Sequence, residues 1–439
     1  MKKNLFFWIM ALMICTIVSC ADNAYFEPEV QAQKREQLRE KLSHEVTQAE
    51  ARQNLENIIC DLKIPSTRGG YTNSMPPITS VYTTGKPAIK TRAGEEVEPH
   101  FHIFNFGNNE GFAIMSGDDR VEPLLALTFS GEITPETEID NLGFEIAYSK
   151  MEEYYVERVS SQSNETLGIE VPSFDTLPLP IIIDSTYYYP MAFGYCPVKW
   201  GQNAPYNTYC KITVNGNETN APTGCVATAV AQLMSIYKYP NGYYYLPDDE
   251  TVTFNWADMI SQSPSSAGID QTARLMYFLG KPENLEAIYG ETSSFAYTAC
   301  IPRTLESFGY TNGGNLTSYD TDIVVEELQN GYPVLISGKR LDEQAKYQGH
   351  CWLGHGLMKR TNIYKVFRRP LGWVNIGTPL ETYYILCNWG WYGDADGYYL
   401  SNVFNVANGA VYPDPIAPSN FTTNRNYQYY MEVLINIRK

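Results

Sequence analysis

Apolar positions along the chain change their period several times, and each change marks an element. Thr47-Gln48-Ala49-Glu50 has the spacing of a capping box, with Thr47 accepting from a free backbone N–H and Glu50 reaching back. Behind it Ala51, Leu55, Ile58, Ile59 and Leu62 recur at helical spacing, which predicts a helix with one buried face. Residues 64–100 are rich in Pro, Thr, Ser and Gly and read as loop. The period then drops to two. Phe101, Ile103 and Phe106 alternate with His102 and Asn105, predicting a strand; Gly107-Asn108-Asn109-Glu110-Gly111 supplies a turn. Phe112 to Met115 reads as a second strand and Leu124 to Leu127 as a third. Phe144 to Val159 returns to helical spacing, with Ile146, Met151, Tyr154 and Tyr155 apolar. Residues 21–160 thus predict a small α+β module behind a polar lead-in.

The pattern breaks over residues 161–186, where Ser and the run Pro172, Pro178, Pro180 predict an exposed linker. From 187 to 439 the chain is rich in Tyr, Trp and Gly and reads as one large domain, without internal repeats. Inside it "APTGCVATAVAQLMSIYKYP", residues 221–240, predicts a buried helix from Val226 to Tyr237 that starts beside Cys225 and stops before Pro240. The whole is α+β.

Charge narrows the partners. The 439 residues carry a formal net charge of −17 and no Lys/Arg cluster, so neither nucleic acid nor an anionic membrane surface finds a basic face. The 34 tyrosines and few charges suit an exported, sheet-rich protein. The first residues agree. Lys2 and Lys3 precede an apolar run from Leu5 to Val18, too short for a membrane span but suited to a signal peptide over residues 1–20. It ends in Ile17-Val18-Ser19-Cys20, which resembles a bacterial lipobox, so Cys20 is expected to carry lipid and to be the only tie to a membrane. The expected location is the outer membrane or cell surface, with release of the mature domain as a further step. A plain secretory signal is the alternative.

Nine cysteines divide unevenly. Cys15 leaves with the signal and Cys20 takes lipid, leaving seven: Cys60, Cys196, Cys210, Cys225, Cys300, Cys351 and Cys387. An odd number leaves one unpaired within a chain. Cys225 stands out, because a helix N-terminus favours an anion and Gly224 leaves space beside the sulfur. Its natural partner is an imidazole. Of five histidines, His44, His100 and His102 lie in the first module; only His350 and His355, in "YQGHCWLGHGLMKR", belong to the large domain. Side chains alternate along a strand, so residues five apart face opposite ways unless Gly354 interrupts it. One imidazole can meet the thiol while the other faces away. The same alternation fans His350, Cys351 and His355 apart and speaks against a metal site.

Four blocks in order now resemble a known family. "WGQNAPYN" (200–207), "TGCVATAVAQLM" (223–234), "GHCWLGHG" (349–356) and "CNWGWYGDADGYYL" (387–400) are similar to motifs of the streptopain-like cysteine peptidases. "TQAEARQNL" and "FHIFNFGNNEGFAIMSGDDRVEPLL" are similar to the inhibitory prodomain of that family. The resemblance implies a papain-like domain over 187–439, an activation linker over 161–186 and a prodomain over 21–160 acting as intramolecular inhibitor. It implies Cys225 as nucleophile, His350 as general base and Gln202 as the oxyanion-hole side chain. Trp389 would shield the pair and Asn388 would orient the imidazole. Ser294 and Gly349 match positions that bind the substrate backbone. The implied activity is an endopeptidase acting on proteins or peptides without metal or organic cofactor. Two departures stand out: His355 where the family usually has Asp, and Cys351 where it has a small residue. They motivate the alternative of an inactive surface lipoprotein that binds peptides or proteins.

Overall fold

A computed structural model describes residues 44–62, 64–65, 71–72, 76–85, 89–90, 96–137, 139–161, 181–188, 195–245, 250–341, 347–368, 371–405 and 431–439. The signal, Cys20 and most of the expected linker lie outside these residues. The chain divides into a leading segment, Met1–Val46, and a unit from Thr47 to Lys439, to which the helices and strands described below belong.

Helix α1 (Gln48–Asp61) starts on the capping box read from the sequence: Thr47 Oγ1 accepts from Glu50 N, and Glu50 Oε2 accepts from Thr47 N at 2.8 Å. Strand β1 (Ile78–Thr83) lies in the stretch read as loop. Its β-branched residues favour extended backbone, but as an outer strand it buries neither face fully and shows no clean alternation. Strands β2 (Phe101–Phe106), β3 (Phe112–Ser116) and β4 (Leu124–Thr128) follow as predicted, and helix α2 spans Leu142–Ser161. Every residue of β2 is buried, including its polar positions. Both have partners: His102 shares a hydrogen bond with Thr83 at 3.0 Å, and Asn105 donates to the Ile133 carbonyl at 2.7 Å. On α2, Tyr148 and Tyr155 stand edge-on to Phe101, which fixes the helix on the sheet.

Strand β5 (Ile181–Tyr188) corrects the expected linker, because residues 181–186 are already strand and the boundary at 187 falls inside it. Ile181-Ile182-Ile183 explain the difference: three β-branched residues outweigh the prolines that precede them. The large domain then supplies helices α3 (Cys225–Tyr237) and α4 (Ser266–Leu279), strand β6 (Asn312–Ser318), helix α5 (Thr321–Gln329), and strands β7 (Val334–Leu341), β8 (Tyr347–Arg368), β9 (Gly372–Asn388), β10 (Gly397–Leu400) and β11 (Glu432–Arg438). Helix α3 is buried almost all round, and Val230, Leu233 and Met234 are fully enclosed. Each contributes about 1.5–3 kcal/mol of burial, which is why this helix, and the thiol at its head, is fixed in place.

One antiparallel sheet runs through both parts in the order β6-β11-β7-β8-β9-β10-β4-β3-β2-β1, with β5 added on the distal half of β8. The seam is β10 on β4, pairing Gly397 with Thr128, Tyr398 with Leu127 and Tyr399 with Ala126. Glycine is needed there, since a Cβ on Gly397 would stand 2.4 Å from the Leu127 carbonyl oxygen. The first module is therefore joined to the large domain by strand pairing as well as by side chains.

Candidate active site

Cys225 opens α3 directly after Gly224, whose φ of +88° lies in the region that favours glycine. Two loops converge on the residues just ahead of the thiol. Thr223 N donates to the Gln202 carbonyl at 2.8 Å, and Ser294 Oγ donates to the Pro222 carbonyl at 2.6 Å. Ser294 also backs Gly224, whose Cβ position is 3.4 Å from its carbonyl oxygen. Burial pushes the Cys225 thiol above its ordinary value; the backbone amides of Cys351, Val226 and Cys225 itself pull the other way and only partly offset it.

His350 comes from β8. Along this strand Cys351 and Leu353 join the core cluster around α3, whereas His350 and Trp352 lie on the other face with near-parallel rings 6.3 Å apart. His350 Nε2 is 2.8 Å from the Trp389 carbonyl oxygen. A carbonyl only accepts, so Nε2 carries the hydrogen and Nδ1 keeps a lone pair. Burial lowers this imidazole to about 4. Thiol and imidazole are thus both neutral at pH 7, and among the described residues no hydrogen bond joins them. Gly349, just before the histidine, is exposed, with room around its Cα. His355 is the extra residue at a register shift between Gly354 and Gly356, where the alternation of β8 is interrupted, and its ring accepts from Cys196 N at 3.0 Å.

Trp389 is fully buried, its Nε1 donating to the Ala395 carbonyl at 2.9 Å and its ring 4.9 Å from those of Trp352 and Tyr399. Asn388 corrects an expectation: its side chain is not on the imidazole. It donates to the Val198 carbonyl at 2.9 Å and accepts from Gln232 Nε2 at 2.8 Å. The cause is register. Asn388 pairs with Leu353, and cross-strand partners share a face, here the one packed on α3. The main-chain carbonyl of Trp389 takes the position at His350 instead.

The first module closes over this site. Gly143, in the first turn of α2, lies against His350 and Trp389. Asn141 Nδ2 donates to the Asp394 carbonyl at 3.0 Å, Phe129 N donates to the Asp396 carbonyl at 2.9 Å, and Ser130 Oγ donates to the Gly393 carbonyl. Asp396 in turn accepts from Trp389 N at 3.0 Å, and burial pushes its carboxyl up to about 7. Sequence reasoning missed Gly143: a glycine at a helix start carries no signal of what packs on it.

Residues 200–399 match the Peptidase C10 family, and residues 43–156 match the Spi protease inhibitor family. The thiol protease/hemagglutinin PrtT of Porphyromonas gingivalis is 24% identical over 362 residues, which are 76% of this chain but 37% of that protein's length. Streptopain of Streptococcus pyogenes serotype M1 is 25% identical over 350 residues, 71% of this chain and 76% of that one. The solved structure of a prointerpain A fragment from Prevotella intermedia covers 82% of this chain and 99% of its own, with 22% identity and a TM-score of 0.48. A peptidase domain behind an inhibitor-like propeptide defines the class, a cysteine peptidase made as a precursor. Within it residues 200–399 are a Peptidase C10 domain, and the chain is similar to streptopain.

Proposed function

We propose that the chain is a cysteine endopeptidase zymogen in which Cys225 is the nucleophile, His350 the general base, and residues 21–160 the intramolecular inhibitor. The observation that carries this reading is Gly143 seated on the His350 ring while the thiol waits at the head of α3 among backbone amides. Removing the propeptide exposes the imidazole to water, raises its proton affinity and lets it draw the proton from the Cys225 sulfur. The thiolate then adds to a peptide carbonyl carbon. The oxyanion is held by the Cys225 N–H and the Gln202 side chain, and the imidazolium returns its proton to the leaving amine. Water hydrolyses the thioester by the same base. In this reading Ser294 and Gly349 hold an extended substrate backbone, the mode in which peptides are commonly bound beside a cleft. Trp389 keeps water from the pair.

Export through residues 1–20 and lipid on Cys20 belong to the same proposal and rest on the sequence pattern; mass spectrometry of the processed protein tests them. For the chemistry, the matured protein is assayed on casein or a fluorogenic peptide beside Cys225→Ala. Wild-type activity in that variant would refute the nucleophile.

A further inference from the structure

His355 lies five residues beyond His350 on β8, is 7% exposed, and its Nδ1 accepts the backbone N–H of Cys196 at 3.0 Å. Burial lowers this imidazole to about 3, so it is neutral and keeps its acceptor near neutral pH. The segment it anchors is the one that holds Asn388. Two residues on, the Val198 carbonyl accepts from Asn388 Nδ2 at 2.9 Å, and Cys196 Sγ is 3.7 Å from the same nitrogen. Asn388 Oδ1, fixed further by Gln232, accepts from Gly390 N at 3.0 Å. That N–H belongs to the same planar peptide unit as the Trp389 carbonyl. Holding one end of the unit aims the other, and the other end is the oxygen that binds His350 Nε2.

We infer that His355 is a positioning residue for the catalytic base: it anchors Cys196–Val198, which sets Asn388, which sets the Trp389–Gly390 peptide plane on His350. The inference rests on the peptidase reading above. It gives His355 a task at the site although its own ring bonds to Cys196 N, and it accounts for an Asn388 that never touches the imidazole.

The matured enzyme with His355→Leu loses the acceptor while filling the space. Its kcat should fall about tenfold, as expected for a base displaced by a fraction of an ångström, with KM within about twofold. The pH profile of Cys225 alkylation by iodoacetamide should shift with it. His355→Asn places an oxygen near the site of Nδ1 and should recover most of both, whereas His355→Gln, whose oxygen reaches the Nε2 position, should not. This pair decides the matter even if the leucine variant does not fold. A His355→Leu enzyme with a lower melting temperature but unchanged kcat and pH profile, or equal activity of Asn and Gln, overturns the inference. Cys225→Ala run alongside separates the two readings. Full activity there removes the peptidase reading and this anchor together; an inactive Cys225→Ala beside an indifferent His355 series removes the anchor alone.

Discussion

Gly143 lies so close to His350 that a Cβ built on it would stand 2.6 Å from Cδ2 of the imidazole and 2.5 Å from Cε3 of Trp389. The indole has no room to retreat, because Trp389 is packed between Trp352 and Tyr399. A side chain at 143 must therefore lift α2 or distort the site. Overpacking of this kind costs about 1–3 kcal/mol. Gly143→Val in the full-length precursor is expected to loosen the cover, and iodoacetamide should label Cys225 about 5- to 150-fold faster than in the parent. Equal rates would mean that α2 does not control access.

The seam between the two parts offers a cleaner separation of precursor from product. At Gly397 an added methyl group would meet the Leu127 carbonyl oxygen at 2.4 Å and Thr128 Cα at 2.5 Å, both atoms of the propeptide. Gly397→Ala should thus weaken the β4–β10 pairing and speed conversion of the precursor, followed by gel electrophoresis over time. Once the propeptide has gone the clash goes too, and the matured variant should have the kcat/KM of the parent.

Burial of His350 also makes a pH prediction whose sign is fixed. Its folded-state value is about 4 and its unfolded value near 6.5, so between these limits the unfolded chain holds a proton that the precursor cannot. The stabilising contribution of keeping the ring neutral is present above pH 6.5 and is lost as pH falls toward 4. At pH 5 the deficit is about 1.5 units, or about 2 kcal/mol. Asp396 opposes this, since its raised value stabilises the folded state as pH falls below 7; comparison of two variants cancels it. Between pH 7.5 and 5, Cys225→Ala should lose more melting temperature than Cys225→Ala/His350→Gln. Parallel losses would show that the ring is not buried in the precursor.

Much of this arrangement was legible because its signals are local. The capping box at Thr47, the change of period at Phe101, and a glycine-led cysteine at a helix start each depend on residues within one turn. The outer strands were not legible. Residues 78–83 and 181–188 gain their place from the partner edges of β2 and β8, and the Pro- and Ser-rich stretches around them signal only loop. The sequence motif marks Asn388 as a residue of the site but not what its side chain touches. Whether an amide at the end of β9 turns to the imidazole or to α3 depends on its pairing with Leu353, a register that no single stretch of chain encodes. The cover over His350 was foreseen as a module by family resemblance, yet its point of contact, a glycine, has no side chain to announce it.

A partly buried ion pair should hold the precursor together far from the thiol. Glu122, of the propeptide, meets Arg360 Nη1 on β8 and accepts from Tyr384 OH on β9 at 3.0 Å, with the charged side chains 12% exposed on each side. Removing only the carboxylate leaves the guanidinium without this counter-charge in a low-dielectric setting, a loss of about 3 kcal/mol for buried pairs. Glu122→Ala should therefore lower the urea midpoint of the Cys225→Ala precursor and speed maturation of the active one. Arg360→Met removes the guanidinium that Glu122→Ala would otherwise strand, so Glu122→Ala should cost less on that background, the difference being the coupling energy of a double-mutant cycle. Because Arg360 belongs to the distal part of β8, beyond the stretch that carries His350, the matured Arg360→Met enzyme should keep the parent kcat/KM. Additive effects of the two substitutions on the precursor would show that the pair does not lock the two parts together.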